Sequence, residues 1–248
     1  MLLHELSDYI ASLLDVSHFS DYCPNGIQVE GRAQVQRIAS GVTASQRLLE
    51  AATAWGADAI LVHHGYFWRN EAAAISGMKK RRLAHLLQHD ISLLAYHLPL
   101  DAHAELGNNA QLAKKLGMVA EGRFGDQQIA WYGSLPTTQT LDQFTAHIAH
   151  TLQRTPQVIG QADRLIGRVA WCTGAAQGYF ETAVALGVDA FITGEISEQN
   201  VHTAQETGVA FIAAGHHATE RYGVQALGAH VAARYGLEHQ FFDMDNPV

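Results

Sequence analysis

The sequence has few cysteines and no long apolar segment. Cys23 and Cys172 are its only cysteines, and no CxxC pair occurs, which argues against a disulfide framework and fits a reducing compartment. No apolar run approaches the ~20 residues that span a bilayer. The start of the chain carries His4, Glu5 and Asp8 and lacks the basic beginning and uninterrupted apolar stretch of a signal peptide. We therefore expect a soluble, cytoplasmic protein with no membrane partner.

Positive charge is also scarce. The chain has 16 Lys and Arg against 24 Asp and Glu, so its net charge is −8 with neutral histidine. This balance argues against a protein that coats nucleic acid by bulk charge. One dense basic run, from Lys79 to Arg82, leaves nucleic acid open as a partner, although an ordinary helix surface explains the run equally well. The length of 248 residues suggests one large domain or two modest ones.

Histidine, by contrast, is abundant. Many of the 15 histidines are clustered, at His63–His64, His97, His103 and His216–His217. Clustered imidazoles are typical of metal binding or proton transfer. A surface that merely tolerates histidine is the alternative that composition leaves open.

The chain contains an internal repeat. A shift of 131 positions places residues 37–64 over residues 168–195 without a gap, and ten of these 28 positions are identical. The shared frame GxDA precedes a predicted strand in both copies, but the strand tips differ: His63–His64 in the first and Gly194–Glu195 in the second. A His-x-x-x-acid pair follows the third predicted strand of each copy, as His97/Asp101 and His216/Glu220. The repeat predicts two βαβαβ units.

The predicted elements define an α/β fold. Strands alternate with amphipathic helices, which indicates mainly parallel sheets covered by helices, in two similar lobes over residues 1–126 and 127–248 that arose by internal duplication. The C-terminal segment is expected to pack back on the first lobe. Strands are predicted near 37–42, 58–63, 91–96, 168–173, 189–193, 209–214 and 238–243. Residues 120–165, which glycine and proline punctuate, are expected to form a joint with a short β–α piece.

The strand tips predict a metal site. Ligands of open parallel sheets bind outside the carboxyl ends of the strands, where His63, His64 and the two His-x-x-x-acid pairs lie. If the lobes face each other, these groups converge on two divalent ions, and imidazole with carboxylate suits Zn, Mn, Fe, Co or Ni. Pro99 is expected to hold Leu98 extended. Gly65 is expected to turn the chain so that both His63 and His64 reach the site.

Five motifs resemble one family. VHHG (62–65), HLPLD (97–101), GHHATE (215–220), DYCPNGIQVEG (21–31) and ITGEISEQ (192–199) are similar to those of the Ngg-interacting-factor-three family (the Nif-three-like family), in particular its short bacterial members. The resemblance implies two interlinked α/β lobes, a dinuclear metal centre, a ring-shaped homohexamer and a description as a GTP cyclohydrolase 1 type 2 homologue. It implies the metal ligands His63, His64, Asp101, His216 and Glu220, and the repeat adds His97 as a ligand or a close neighbour of one.

The resulting hypothesis is a metal-dependent hydrolase of a nucleotide or a related phosphorylated small molecule. Glu195, which occupies the position of His64 in the second copy, is predicted to act as a general base or a water-orienting group. A carboxylate at a helix N-terminus is its alternative role. Two other functions remain open: a non-enzymatic metal-binding ring scaffold, and a ring that binds nucleic acid through the run from Lys79 to Arg82.

Overall fold

The computed structural model describes residues 1–248, which form two compact units. The first unit contains Met1–Gly107 and Gly223–Asp245, and the second contains Asn108–Tyr222 and Asn246–Val248. These bounds differ from the predicted lobes 1–126 and 127–248. Residues 108–126 belong to the second unit because their apolar side chains, including Leu112 and Met118, lie in its core.

The helices and strands follow the alternation that the sequence predicts. Up to residue 107 they are α1 (Leu3–Leu13), β1 (Gly26–Val29), β2 (Arg37–Thr43), α2 (Gln46–Trp55), β3 (Ala59–His64), α3 (Gly77–Gln88), β4 (Ser92–Ala95) and α4 (Leu98–Ala102). They continue with α5 (Asn108–Leu116), β5 (Val119–Phe124), β6 (Ala130–Thr140), α6 (Leu141–Leu152), β7 (Gln157–Ile159), β8 (Leu165–Trp171), α7 (Phe180–Ala185), β9 (Ala190–Thr193), α8 (Glu198–Thr207) and β10 (Ala210–Ala213). The last two are α9 (His216–Tyr235) and β11 (Glu238–Phe241).

The first unit is built on a five-stranded sheet in the order β1-β4-β3-β2-β11. Its central strands β4, β3 and β2 are parallel, while β1 pairs antiparallel to β4 at one edge. The central strands are almost entirely buried, as expected for parallel strands covered on both faces. One core contains Leu48, Leu49 and Leu86 from α2 and α3. The other contains α1 side chains and the later part of α9, including Val224 and Leu227.

The second unit is built on a six-stranded sheet in the order β5-β6-β8-β9-β10-β7. Strands β8, β9 and β10 are parallel, and the flanking pairs are antiparallel. The sequence predicted that residues 120–165 form a joint with a short β–α piece. The β–α piece is present as β6 and α6, but the segment belongs to the second unit and is not a joint. Its residues form β6, α6, β7 and most of β5, and they contribute Trp131, Phe144 and Ile148 to the core. Glycine and proline punctuation indicated breaks there, but the apolar side chains between the breaks determine the packing.

The two units repeat the same local hydrogen bonds. Asp58 Oδ2 accepts the backbone N–H groups of Gln36 and Arg37 at 2.8 and 2.9 Å. Asp189 Oδ2, 131 positions later, accepts those of Gly167 and Arg168 at 2.9 and 2.8 Å.

The strand register repeats as well, since Ile38 pairs with Ala59 in one sheet and Val169 pairs with Ala190 in the other.

The predicted α/β class, with two sheets covered by helices, is confirmed. The duplication that would account for the likeness stays a prediction.

Several elements differ from the predicted ones. The strand–helix alternation predicts an amphipathic helix over 175–186, between β8 and β9. The structure has a 3₁₀ turn at Gln177–Tyr179 followed by the shorter helix α7, and Gly178 within the turn has low helix propensity. Leu98 is not extended, because α4 begins there and contains Pro99 in its first turn. A proline is tolerated at that position, where its missing N–H would have no helical partner. Helix α1 and strand β1 were not predicted from the sequence. No helix of the structure combines the length and the apolar character needed to cross a membrane.

Candidate metal centre

The carboxyl end of β3 brings two imidazoles together in the first unit. His63 is fully buried, and its Nδ1 lies 3.0 Å from the backbone oxygen of Tyr96. His64 is the last residue of the strand, and its Nδ1 lies 3.1 Å from Thr43 Oγ1. Neighbouring side chains of a regular strand point to opposite faces, yet these two ring centroids are 4.5 Å apart. The end of the strand at His64 therefore places both rings in one cluster.

Gly65 supports this cluster by its lack of a side chain. A Cβ at this position would lie 2.1 Å from Gln28 Oε1 and 2.7 Å from Ala95 Cβ. Strand β3 ends at His64, and Gly65 is not among the glycines with positive φ, so the chain leaves the strand without a left-handed conformation at Gly65. Close packing against β1 and β4 is what requires glycine here.

Hydrogen bonds from Asp21 and Asn25, in the segment before β1, hold His97 in place. Its Nδ1 lies 2.8 Å from Asp21 Oδ1, and its backbone N–H donates to Asn25 Oδ1 at 2.7 Å. Asp21 Oδ2 accepts the Leu98 N–H and an Asn25 amide hydrogen, both at 2.9 Å. Burial acts to raise the pKa of Asp21, but these hydrogen bonds and the nearby His97 outweigh it and lower the pKa to about 2. Trp68 packs edge-on to the imidazole of His97, with 5.0 Å between centroids.

Asp101 joins the same cluster from α4. Its Oδ1 lies 3.4 Å from His63 Nε2, and its side chain is buried. The backbone oxygen of His97 accepts N–H groups of Leu100 and Asp101, so this short helix begins directly at the histidine. The structure thus gathers His63, His64, His97 and Asp101 in the first unit. Ligand atoms of the three histidines all lie within 4.8 Å of one another.

Cys23 lies at the edge of this cluster. Its sulfur and ligand atoms of Asp21 and His97 are within 4.8 Å of one another. Burial, together with the charge of Asp21, raises the pKa of the Cys23 thiol to about 12. Both oxygens of Asp21 accept hydrogen bonds, so Asp21 positions its neighbours and the candidate ligands of the first unit remain the three histidines and Asp101.

The second unit carries its own cluster at the start of α9. His216 is the first residue of the helix and Glu220 follows one turn later, with His216 Nε2 3.1 Å from Glu220 Oε2. Glu195 Oε1 accepts a hydrogen bond from His216 Nδ1 at 2.6 Å. Burial acts to lower the pKa of His216, but hydrogen bonds and charges from Glu220 and Glu195 outweigh it and raise the pKa to about 9. His216, Glu220 and Glu195 are thus placed together.

Small residues make room for the Glu220 carboxylate. Gly174 has a φ of +71°, and a Cβ there would lie 2.0 Å from Glu220 Oε1 and 3.3 Å from His216 Nε2. The Gly174 N–H donates to Thr219 Oγ1 at 3.1 Å, and this hydroxyl lies 2.9 Å from the Gly215 oxygen. The loop after β8 is therefore fixed against the first turn of α9. Thr219 lies in the motif GHHATE (215–220), which the sequence placed at the site, whereas no sequence pattern indicated Gly174.

One pattern joins the four histidines: each has its Nδ1 against an oxygen. The partners are a carbonyl (Tyr96), a hydroxyl (Thr43) and two carboxylates (Asp21 and Glu195). Carbonyl and ionised carboxylate oxygens can only accept, so Nδ1 of His63, His97 and His216 donates and, in a neutral ring, Nε2 carries the lone pair. The Thr43 hydroxyl can accept from His64 Nδ1 in the same way. Metal-binding histidines usually have this arrangement. The residues present therefore fit nitrogen and oxygen ligation of a divalent transition metal.

Two other predicted contacts lie elsewhere. By sequence, Asn108 and Asn109, which follow Gly107, are further candidates for substrate contact. Asn109 is fully buried, donates to the Ile129 oxygen and accepts the Thr173 N–H. In the basic run, Lys79 contacts Glu71 at 3.4 Å and Arg82 lies over the ring of Tyr66. Half of this run is thus engaged within the first unit, which weakens the nucleic-acid hypothesis.

Comparison with known proteins assigns the family. The family model Duf34/NIF3 (NGG1p interacting factor 3) matches residues 1–247. The chain belongs to the Duf34/NIF3 family. Among Duf34/NIF3 relatives, a Pseudomonas aeruginosa protein named GTP cyclohydrolase 1 type 2 homolog is 56% identical over 238 residues, covering 95% of this chain and 94% of its own. A Neisseria meningitidis serogroup B protein of the same name is 53% identical over the whole of both chains.

A solved structure is similar across the entire fold. It is described as protein ybgI, of unknown function, and has a TM-score of 0.96 and 47% identity while covering 100% of both chains. The predicted family is therefore confirmed.

Proposed function

We propose that this Duf34/NIF3 chain binds two divalent metal ions and hydrolyses a nucleotide or a related phosphorylated small molecule. The proposed ligands are His63, His64, His97, Asp101, His216 and Glu220. The observation that carries the proposal is the shared orientation of the four histidines, whose Nδ1 atoms all meet an oxygen partner. In a metal site such a partner would orient each ring so that Nε2 faces the ion.

The donor set limits the metal and its chemistry. Mixed nitrogen and carboxylate donors favour Zn, Mn, Fe, Co or Ni over Mg, which prefers oxygen alone. Two such ions would supply Lewis-acid activation of water and of a phosphoryl or carbonyl oxygen. Asp101 and Glu220 would balance the cationic charge, since both carboxylates are buried beside an imidazole.

Glu195 has two proposed tasks. Its Oε1 fixes the ring of His216, and we propose that its remaining oxygen orients water or accepts a proton as general base. Its side chain is one-third exposed, so solvent can reach it. The substrate class rests on the relatives' name, GTP cyclohydrolase 1 type 2 homolog. A cytoplasmic location is proposed because the chain has two cysteines and no CxxC pair. A ring-shaped homohexamer is proposed on the family resemblance.

The direct test is metal content of untagged protein purified without added metal. We expect about two transition-metal ions per chain, with loss in both His64→Ala and Glu220→Ala. His202→Ala is the matched control, because His202 is an exposed histidine on α8. If the wild-type chain holds no metal and takes up none from Zn, Mn or Fe solutions, the proposal fails.

Turnover is tested next on the loaded protein. GTP and a panel of phosphoesters are incubated with wild type and Glu195→Gln, and products are separated by chromatography. Hydrolysis by wild type that falls in Glu195→Gln supports an enzyme. Two bound ions with no turnover of any of these compounds would favour the non-enzymatic scaffold.

A further inference from the structure

The second unit contains a cavity beside its candidate ligands. The cavity has a volume of about 360 Å³, and its lining includes Arg154, Gln157, Glu195, Ala213 and Pro247. This volume lies in the range of small-molecule sites, roughly 300–1,000 Å³. The lining is mixed, with polar groups from Arg154, Thr155, Gln157 and Glu195 and apolar surface from Ile196, Ala213, Pro247 and Val248.

The cavity borders the cluster that His216, Glu220 and Glu195 form in the second unit. Glu195 lines it and bonds to His216 through Oε1. Gly194 lines it too, and packs so closely on α9 that a Cβ there would lie 2.6 Å from His216 Cα. A molecule in the cavity would therefore be next to the carboxylate that positions a proposed metal ligand.

Arg154 is the one Lys or Arg that lines this cavity. Its Nη1 donates to the backbone oxygen of Pro247, and its Nε lies 2.4 Å from the position that a Cβ on Gly215 would occupy. The side chain is therefore held between the C-terminal residues and the loop before His216. A guanidinium has five N–H donors, so the contact with Pro247 leaves others for a ligand.

We propose that this cavity binds the anionic group of the substrate and that Arg154 recognises it. The ligand class is a phosphorylated small molecule of nucleotide size, because the planar guanidinium matches phosphate geometry. The proposal rests on the proposed function for the identity of the reacting part, which would lie toward Glu195. The binding site itself rests on the cavity and on Arg154.

A second cavity provides the control. It has a volume of about 380 Å³, also lies in the second unit, and is lined by Arg164 together with Gln161, Gln205 and apolar or small residues. None of the side chains that line it is His, Cys, Asp or Glu. Arg164→Gln thus removes a guanidinium from a cavity of similar size that has no candidate metal ligand.

The experiment measures binding of GMP, guanosine and inorganic phosphate by calorimetry to wild type, Arg154→Gln, Arg154→Lys and Arg164→Gln. We expect wild type to bind GMP at least about tenfold more tightly than guanosine, a difference of about 1.4 kcal/mol. Arg154→Gln should abolish the difference, Arg154→Lys should keep part of it, and Arg164→Gln should match wild type. Unfolding midpoints verify that all variants fold.

Other outcomes separate this inference from the proposed function. If Arg154→Gln still prefers GMP as wild type does, or if wild type binds neither GMP nor inorganic phosphate, Arg154 is not an anion-binding residue. Metal content measured on the same samples is independent of this result. A chain without metal whose GMP preference depends on Arg154 would keep the binding site and overturn the metal-dependent hydrolase.

Discussion

Asp21 Oδ1 accepts a hydrogen bond from His97 Nδ1 at 2.8 Å, across 76 positions of sequence. We expect Asp21→Asn to weaken metal binding about 10- to 100-fold, the usual effect of removing the partner of a metal-binding histidine. Asparagine keeps the size of the side chain but can present an N–H to Nδ1, which favours the wrong tautomer. Competition with a chelator of known affinity measures the change.

The control for Asp21→Asn is Asp15→Asn. Asp15 pairs with His18 on the surface, where both side chains are mostly exposed, and Asn tolerates its left-handed backbone. Equal metal affinity in wild type and Asp21→Asn would contradict the positioning role of Asp21.

Gly174→Ala should weaken metal binding while the protein stays folded. The added Cβ would overlap Glu220 Oε1 and displace the carboxylate, so we expect metal binding to weaken at least about tenfold. Gly187→Ala is the matched variant, because its φ of +69° is similar and nothing lies within 4 Å of the added Cβ. Both variants should lose about 1–2 kcal/mol of folding free energy from the left-handed backbone. Elemental analysis and urea unfolding separate the two effects, and a similar metal loss in both would refute the role of Gly174.

The paired aspartates of the two sheets should differ in their contribution to stability. Asp58→Ala removes two backbone hydrogen bonds and an Arg32 ion pair at 2.8 Å, and we expect a loss of about 3 kcal/mol. Asp189→Ala removes two similar hydrogen bonds, but its side chain is 34% exposed and Arg164 is 3.9 Å away, so the loss should be about 1 kcal/mol smaller. Urea unfolding of both variants tests the order, and a larger loss for Asp189→Ala would contradict it.

The first unit should become less stable at mildly acidic pH because His239 is buried in the folded chain and is protonated more readily in the unfolded chain. Burial lowers the pKa of His239, whose Nε2 lies 2.7 Å from Ser40 Oγ. The unfolded chain then binds a proton at a higher pH than the folded chain, so folding loses free energy as pH falls below the ordinary value of 6.5 toward the lowered one. His239→Gln should show a smaller drop in urea midpoint between about pH 7.5 and about pH 5.5. An identical drop in both proteins would exclude His239.

The sequence was sufficient to predict the positions of those candidate ligands that lie at strand ends. His63, His64, His216 and Glu220 were predicted because parallel strands end at one edge of a sheet, and each sits at or just after such an end. Asp21 and Tyr96, which hold the rings of His97 and His63, were not predicted. Their roles depend on contacts between distant segments, and no local pattern encodes those contacts.

Other predictions differ from the structure because tertiary packing outweighed a local sequence preference. Pro99 indicated an extended Leu98, but the first turn of α4 accommodates it. The glycine and proline residues of 120–165 suggested a joint, whereas buried aromatic side chains such as Trp131 and Phe144 make the segment part of a core. Asn109, a candidate for substrate contact by sequence, is a buried hydrogen-bonding group.

The two cysteines give the chain a natural pair of reporters. Cys23 lies in the first unit and Cys172 in the second, both are buried, and neither forms a disulfide. A thiol reagent can modify a buried sulfhydryl only when the surrounding structure opens. The labelling rates of the two sulfhydryls would therefore record the opening of each unit separately, without any engineered probe.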